Sequence, residues 1–219
     1  MLILAFDTAT PAVTVALHDG AAVVAAQTAV DARRHGELLA TAIREVLAAA
    51  GAKTGELTGI AVGVGPGPYT GLRAGLVTAR VLGSALGVPV HGACTLDVIA
   101  WEVAAAAAES TRGGFTVATD ARRKEVYWAR YSPAGLRLSG PGVGPPGDAA
   151  GGGPVAGEGA LLYPAVLAGP VGPRYPSAAA LASLTAGRLA RGEPMLPAEP
   201  LYLRRPDARV PGPPKRVTP

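Results

Sequence analysis

Two acids at strand ends, three scattered histidines, a single cysteine and a Gly-Pro turn are the groups from which this chain could build chemistry. Asp7 closes the apolar run Leu2-Ile3-Leu4-Ala5-Phe6 and is followed by Thr8. Asp120 closes Phe115-Thr116-Val117-Ala118-Thr119 in the same way. In folds that grip nucleotide phosphates between two β-hairpins, such acids orient magnesium or water while backbone N–H groups meet the phosphates. An Asp after a strand also simply initiates a turn. Both readings stand for Asp7, Thr8 and Asp120, the candidates for a nucleotide cleft.

Metal and nucleophile chemistry find less support. The histidines are His18, His35 and His91, so no two stand four apart on one helix face as a helical zinc pair requires. Cys94 could pair with His91, yet two ligands do not make a site. Cys94 precedes Thr95 at a helix start, where a thiol could be slightly acidified, but no base accompanies it and a packed residue is expected. There is no Gly-x-Ser-x-Gly elbow.

The most informative stretch is residues 65–75, Gly-Pro-Gly-Pro-Tyr-Thr-Gly-Leu-Arg-Ala-Gly. It joins an apolar strand, 59–64, to a helix ending near residue 86. Prolines fix φ and remove donors, and glycines permit turns that other residues resist. The missing Gly-Lys-Ser/Thr ending excludes a phosphate-cradling P-loop. Thr70 is read as the N-cap. Arg73 sits in the first turn, where the helix dipole disfavours a cation, which points to a carboxylate or phosphate partner or to a solvated side chain. Gly71, Gly75, Ala79, Gly83 and Gly87 follow at four-residue spacing. Glycine costs about 0.8–1.0 kcal/mol against alanine inside a helix, so this face is kept for close backbone approach, by an internal helix or another chain.

The elements that position these groups are read from periodicity. Strands at 2–7, 12–18 and 21–28 form a meander with Asp19-Gly20 as a hairpin turn. A helix over 32–50 presents Leu38, Leu39, Ala42, Ile43, Val46 and Leu47 on one face and stops at Gly51. An alanine-rich helix is expected over 96–108. The opening pattern of strand, Asp, turn and strand returns at 115–131. Residues 140–154, almost all Gly, Pro and Ala, read as a flexible surface loop. Val155 starts a short strand, 158–167 reads as helix, and Ser177 caps a helix to about residue 191. The division expected is an N-terminal lobe over 1–110, a smaller lobe over 111–206 and a basic tail over 207–219.

With 219 residues, 49% hydrophobic and 16% charged, the chain can bury one large core or two small ones. One cysteine excludes an internal disulfide and a multi-cysteine metal cluster. The absence of a signal pattern and of an apolar run near ~18 residues points to a cytoplasmic protein with no membrane partner. The net charge of +4 lies wholly in residues 201–219, where Arg204, Arg205, Arg209, Lys215 and Arg216 face Asp207. Such a tail can meet RNA or stay solvated. Tyr202 and Leu203 are too apolar to be free, so 200–204 is expected to pack.

Several of these segments together resemble the TsaB (YeaZ) family of bacterial tRNA threonylcarbamoyladenosine synthesis. They are Ile3-Leu4-Ala5-Phe6-Asp7-Thr8-Ala9-Thr10, Arg34-His35 and residues 65–73, then Asp120-Ala121-Arg122 with Glu125-Val126-Tyr127, Gly157-Glu158-Gly159-Ala160 and Pro200-Leu201-Tyr202-Leu203-Arg204. The Gly-Pro-Gly segment is shared with the catalytic paralogue TsaD. The resemblance implies an α/β, two-lobed actin/hexokinase/Hsp70-like fold, each lobe opening with a β-meander. It implies a non-catalytic scaffold that binds a TsaD-like paralogue and a TsaE-like ATPase, meeting tRNA through the complex. No cofactor is then bound tightly, and ATP or ADP enters only at the level of the complex. The paralogue holds its metal with two helix histidines four apart. Here only His35 lies on the comparable helix, and the position four on is Leu39. The nucleotide cleft of Asp7, Thr8 and Asp120 is then degenerate. The partner interface is assigned to the two helices, through His35, Leu38, Leu39, Ile43 and Leu47 on one and Thr70, Gly71, Arg73, Gly75 and Ala79 on the other. The rival readings are an active ATP-dependent enzyme of the same superfamily, a metallopeptidase and a homodimeric regulatory protein.

Overall fold

The computed structural model describes residues 1–31, 34–106, 108–151 and 153–204. The first sheet is built from β1 (Ile3–Asp7), β2 (Ala12–His18), β3 (Val23–Val30), β4 (Gly59–Gly63) and β5 (Val90–Ala93), in the order β3-β2-β1-β4-β5. β1, β2 and β3 form an antiparallel meander, and β4 and β5 run parallel to β1. The second sheet contains β6 (Phe115–Asp120), β7 (Val126–Tyr131), β8 (Arg137–Gly144), β9 (Val155–Ala156) and β10 (Pro170–Val171), in the order β10-β9-β6-β7-β8. Read from the other edge it is the same topology, with a meander of three and then two parallel strands. The strand–Asp–turn–strand echo in the sequence is therefore a repeated half-fold.

Strand composition follows position. β1, β2 and β4 are buried throughout because helices cover both faces of the first sheet. Leu4, Phe6, Val13, Val15, Ile60 and Val62 point to one face. There they meet α1 (His35–Ala49) and α2 (Tyr69–Leu86) through Leu39, Ile43, Val46, Leu72 and Leu76. Ile3, Ala5, Ala16 and Ala61 point to the other, where small side chains admit α6 (Ala178–Ala190) through Ala178, Leu181 and Ala182. β3 lies at the edge and alternates half-buried and exposed.

α3 (Thr95–Ala105) joins the lobes. Its Val98 packs with α6, while Leu96, Ile99 and Val103 meet Phe115, Val117 and Tyr131 of the second sheet. The boundary near residue 111 thus separates the sheets but not the helices. α6, far beyond it in sequence, packs on the first sheet, and α3, before it, packs on the second. Two contiguous lobes are a misreading of a chain that returns to its first core.

Three further readings change. Residues 140–154 are not one flexible loop. Up to Gly144 they belong to β8, paired along β7, and α4 (Pro146–Ala149) follows. Glycine suits this strand because a Cβ at Gly142 would stand 3.0 Å from the Trp128 ring. The helix over 158–167 stops early, as α5 (Glu158–Leu162). Thr70 is not the N-cap of α2. Pro68 stands there, with no side-chain cap bond. The Ser177 cap does form, its Oγ accepting from Ala180 N–H at 3.3 Å. Ser177→Ala is expected to cost about 1 kcal/mol in urea denaturation, with the helix otherwise retained. The basic tail over 207–219 lies outside the described residues.

Candidate functional site

Asp7 ends β1 with its carboxylate turned inward. It is fully buried, Oδ1 accepts from Ala9 N–H at 2.7 Å, and Oδ2 accepts from the Thr95 hydroxyl at 2.7 Å. Burial pushes its pKa up to about 6, against the partial opposition of those two hydrogen bonds. Thr8 is equally enclosed. Its hydroxyl donates to Gly71 C=O at 2.7 Å and accepts from Gly75 N–H at 3.0 Å. Asp120, at the equivalent place in the second lobe, makes the same local turn by accepting from Arg122 N–H at 2.8 Å, and it pairs with the Arg122 side chain at 3.1 Å.

The glycines explain how the first turn is held so tightly. A Cβ at Gly63 would overlap the Asp7 carboxylate, and one at Gly67 would overlap Ala9 C=O. At Gly71 it would lie 2.6 Å from Thr8 C=O, and at Gly75 2.5 Å from Thr8 Oγ1. Glycine at every fourth place from 63 to 75 thus forms a bed for residues 7–9. Further along α2, a Cβ at Gly83 would overlap Val90 on β5. This corrects the reading of the small-residue face as a seam between chains. Gly71, Gly75 and Ala79 are buried inside this chain, and so are Leu39, Ile43 and Leu47 of α1. The close backbone approach is real, but the partner is the chain's own first hairpin and strand.

His35, also assigned to the interface, shares its Nε2 with Thr10 C=O at 2.9 Å and lies beside Gly71. Leu38 is half-buried against the first core. Thr70 and Arg73 are exposed. Arg73 answers its awkward place in the first turn by lying over the Tyr69 ring, 4.8 Å from the centroid, and donating to the Tyr69 hydroxyl. The outward face of α2 is instead Arg73, Val77, Arg80 and Val81, with Val77 54% and Val81 60% exposed.

The space between the lobes is a groove of about 430 Å³, whose walls include Tyr69, Arg122, Arg123, Tyr127, Tyr202 and Arg204. Asp7, Thr8 and Asp120 do not line it together: the first pair is sealed beneath Gly67 and Gly71, and Asp120 is spent on its own turn. The chain reaches the groove again through residues 201–204. Leu201 N–H donates to Val64 C=O at 2.8 Å, and Leu201 and Leu203 pack on the cores. Arg204 donates to Ala121 C=O at 3.1 Å and pairs with Glu125. Tyr202 stacks on Tyr69, ring centroids 5.7 Å apart.

Two polar clusters escaped sequence reasoning. Asp97 accepts from the Tyr131 hydroxyl at 2.8 Å, beside Arg137. The buried Glu158 accepts from Arg174 and the Tyr175 hydroxyl, both at 2.6 Å. The partners lie 16 to 40 residues in sequence from the acid they meet, with no motif to link them. Cys94 is buried, and its thiol is pushed up to about 12 by desolvation, the reverse of acidification.

Two half-folds of the same topology, facing each other across a groove with an acid at each first turn, define the two-lobed actin/hexokinase/Hsp70-like class. Residues 23–157 match the family TsaD: tRNA N6-adenosine threonylcarbamoyltransferase. A Pseudomonas aeruginosa structure described as similar to peptidase YEAZ superimposes with a TM-score of 0.78 at 30% identity, over 93% of this chain and 99% of that one. YeaZ from the same organism gives 0.76 at 28%, over 92% and 100%. The Escherichia coli tRNA threonylcarbamoyladenosine biosynthesis protein TsaB is 37% identical over 138 residues, 60% of this chain and 55% of that protein. An uncharacterized Mycobacterium tuberculosis protein is 44% identical over 211 residues, 94% of this chain and 93% of the relative. The chain belongs to the TsaB (YeaZ) family, within the wider group that includes the TsaD transferases.

Proposed function

We propose that this protein is a non-catalytic scaffold in the synthesis of N6-threonylcarbamoyladenosine on tRNA. It binds a TsaD-like transferase, with a TsaE-like ATPase joining the complex. The observation that carries the reading is the closure of the first-lobe turn. A fold that uses its strand-end acid on a nucleotide must expose that acid, and here Asp7 and Thr8 are buried and committed to internal hydrogen bonds. His35 adds to this: its ring is engaged by Thr10, and the residue four on is the buried Leu39. Among the described residues, no three His, Cys, Asp or Glu side chains stand close enough to hold a metal ion together. Among the described residues, too, no helix is long and apolar enough to cross a membrane.

The surface left for a partner on the helix pair is the outer face of α2. Val77 and Val81 are one turn apart, exposed, and flanked by Arg73 and Arg80. An apolar centre with arginine at its margin suits a protein interface. Val81→Asp is expected to weaken binding of the TsaD-like paralogue at least tenfold, about 1.4 kcal/mol, in calorimetric titration. The isolated chain should keep its thermal midpoint, because Val81 touches solvent. Unchanged affinity for both Val81→Asp and Val77→Asp would move the interface off this helix.

A further inference from the structure

We infer that two copies of this chain pair along β3, edge to edge and antiparallel about a two-fold axis at Gln27, so that their first sheets form one continuous sheet. This does not rest on the scaffold reading. It concerns a different surface from the outer face of α2 and is tested on the chain by itself.

The sheet edges are the first observation. An open edge offers unpaired N–H and C=O groups to any other strand, and folded proteins guard it with charge, proline, shortness or a cover. Four strands end the two sheets. β5 is covered at Gly92, which exchanges both backbone bonds with Leu196, at 2.7 and 3.1 Å. β10 has two residues and begins with Pro170. β8 carries Arg137 and Pro141. β3 reads Val-Val-Ala-Ala-Gln-Thr-Ala-Val, eight residues with no charge and no proline. Among the described residues its only strand neighbour is β2. β8 holds the same place in the second half-fold, so the topology itself does not account for the missing guards.

The direction of the free backbone groups is the second. Asp31 N–H donates to Pro11 C=O at 3.0 Å, and the pairing with β2 is regular from Val30 back to Ala25. Antiparallel pairs alternate between hydrogen-bonded and non-hydrogen-bonded residues. Ala29, Gln27 and Ala25 therefore bond β2, while Ala26, Thr28 and Val30 aim their N–H and C=O groups away from it. The irregularity in the ladder lies beyond, next to Val24 at the start of the strand.

The arrangement about Gln27 selects a second copy as the partner. Val24 and Val30, 44% and 60% exposed, are the large apolar residues left open on the strand, and each stands three places from Gln27. An antiparallel pair centred there sets Val24 of each copy against Val30 of the other and Ala26 against Thr28, with the outward backbone groups in the bonding positions. The two Gln27 residues meet at the axis as a non-hydrogen-bonded pair, Cα atoms about 4.5 Å apart, where their amides can exchange hydrogen bonds. A two-fold contact needs a patch that complements itself. This strand does so without opposing like charges: Asp31 falls opposite Val23, and Asp19 lies beyond the paired run. α2 packs on β1, β4 and β5, toward the other edge of the sheet, so its outer face stays open in the dimer.

The test is sedimentation velocity of the full chain across concentrations, with cysteine cross-linking to read the register. The wild type is expected to pass from monomer to dimer below about 1 mM. Ala26→Lys, which supplies a missing guard, should weaken association about tenfold, since symmetry doubles every substitution. Val81→Asp on α2 should leave association unchanged. Under mild oxidation Gln27→Cys should give a disulfide-linked dimer, because the same residue of the other copy lies opposite at a spacing a disulfide spans. Val30→Cys, at a more exposed position but opposite Val24, should cross-link less. The native Cys94 is buried and does not compete. Urea midpoints establish that each variant is folded. A chain that stays monomeric to about 1 mM overturns the inference. So does association that is lost in Val81→Asp and kept in Ala26→Lys, which would move the contact to α2. Cross-linking of Val30→Cys that equals or exceeds that of Gln27→Cys overturns it as well.

Discussion

Gly75→Leu is expected to destabilise the isolated chain by about 3 kcal/mol or more, before any partner is considered. The Cβ alone would stand 2.5 Å from Thr8 Oγ1, and the rest of the side chain must enter the first core. Overpacking costs typically 1–3 kcal/mol. Here it also pushes the Thr8 hydroxyl off both Gly75 N–H and Gly71 C=O, each buried and each worth about 1 kcal/mol. Urea denaturation of the chain by itself reads the effect as a large drop in midpoint. Val81→Asp, nearly two turns further along the same helix, is the contrast, with stability intact and binding of the proposed partner weakened. If Gly75→Leu instead leaves the midpoint unchanged and lowers only affinity for the transferase, the glycine bed is not what holds residues 7–9.

The sequence carried the strands and their order of appearance well, because buried central strands are apolar runs and the turns between them are marked by Asp and Gly. Ser177 and Gly51 were legible as helix ends because a cap is a local feature: the serine oxygen meets an N–H three residues on, and Gly51 takes φ of 64°. The four-residue glycine spacing was equally legible, but its partner was not. Spacing reports that something comes close; which backbone it is depends on tertiary placement. Gly63 and Gly67 continue the series backwards out of the helix, and that continuation was the available hint that the bed belongs to the strand–turn joint rather than to a helix seam.

The remaining misses have the same origin. Residues 140–144 form a strand because β7 offers an edge and Trp128 needs a flat neighbour, facts that glycine and proline content conceals. The lobe boundary failed because α6 finds its small-residue face on β1 and β2, at more than 160 residues' separation for the Ala178 N–H to Thr14 hydroxyl bond. The groove was half legible. Arg122 and Tyr202 were visible as members of motifs, but only the fold brings the second-lobe turn and the 201–204 segment to Tyr69. Asp7 was singled out for its chemistry, and the structure gives it a different consequence, in stability rather than in catalysis.

Asp7→Asn is expected to stabilise the protein at neutral pH by about 3 kcal/mol and to remove a pH dependence. The wild-type carboxyl titrates at about 6 in the folded chain against 3.8 when unfolded, because burial disfavours its charge. The folded state therefore binds the extra proton between those values. Stability is highest below pH 4, falls as pH rises through 6, and stays at its lower level above. The gap corresponds to about 3 kcal/mol. Asparagine keeps the Oδ1 acceptor for Ala9 N–H, and its amide can donate to the Thr95 hydroxyl, so the turn survives without the charge. Urea midpoints measured from pH 4 to 7.5 should decline for the wild type and run nearly flat for the variant. Asp7→Ala should not reproduce this, since it leaves Ala9 N–H and the Thr95 hydroxyl without an acceptor in a closed site. In a reconstituted system with the transferase and the ATPase, Asp7→Asn should lower tRNA modification by less than tenfold. A wild type whose stability rises from pH 4 to 7, or an Asn variant that assembles yet loses several orders of magnitude of modification, would mean that this carboxylate is charged for a purpose and the first lobe holds a working site.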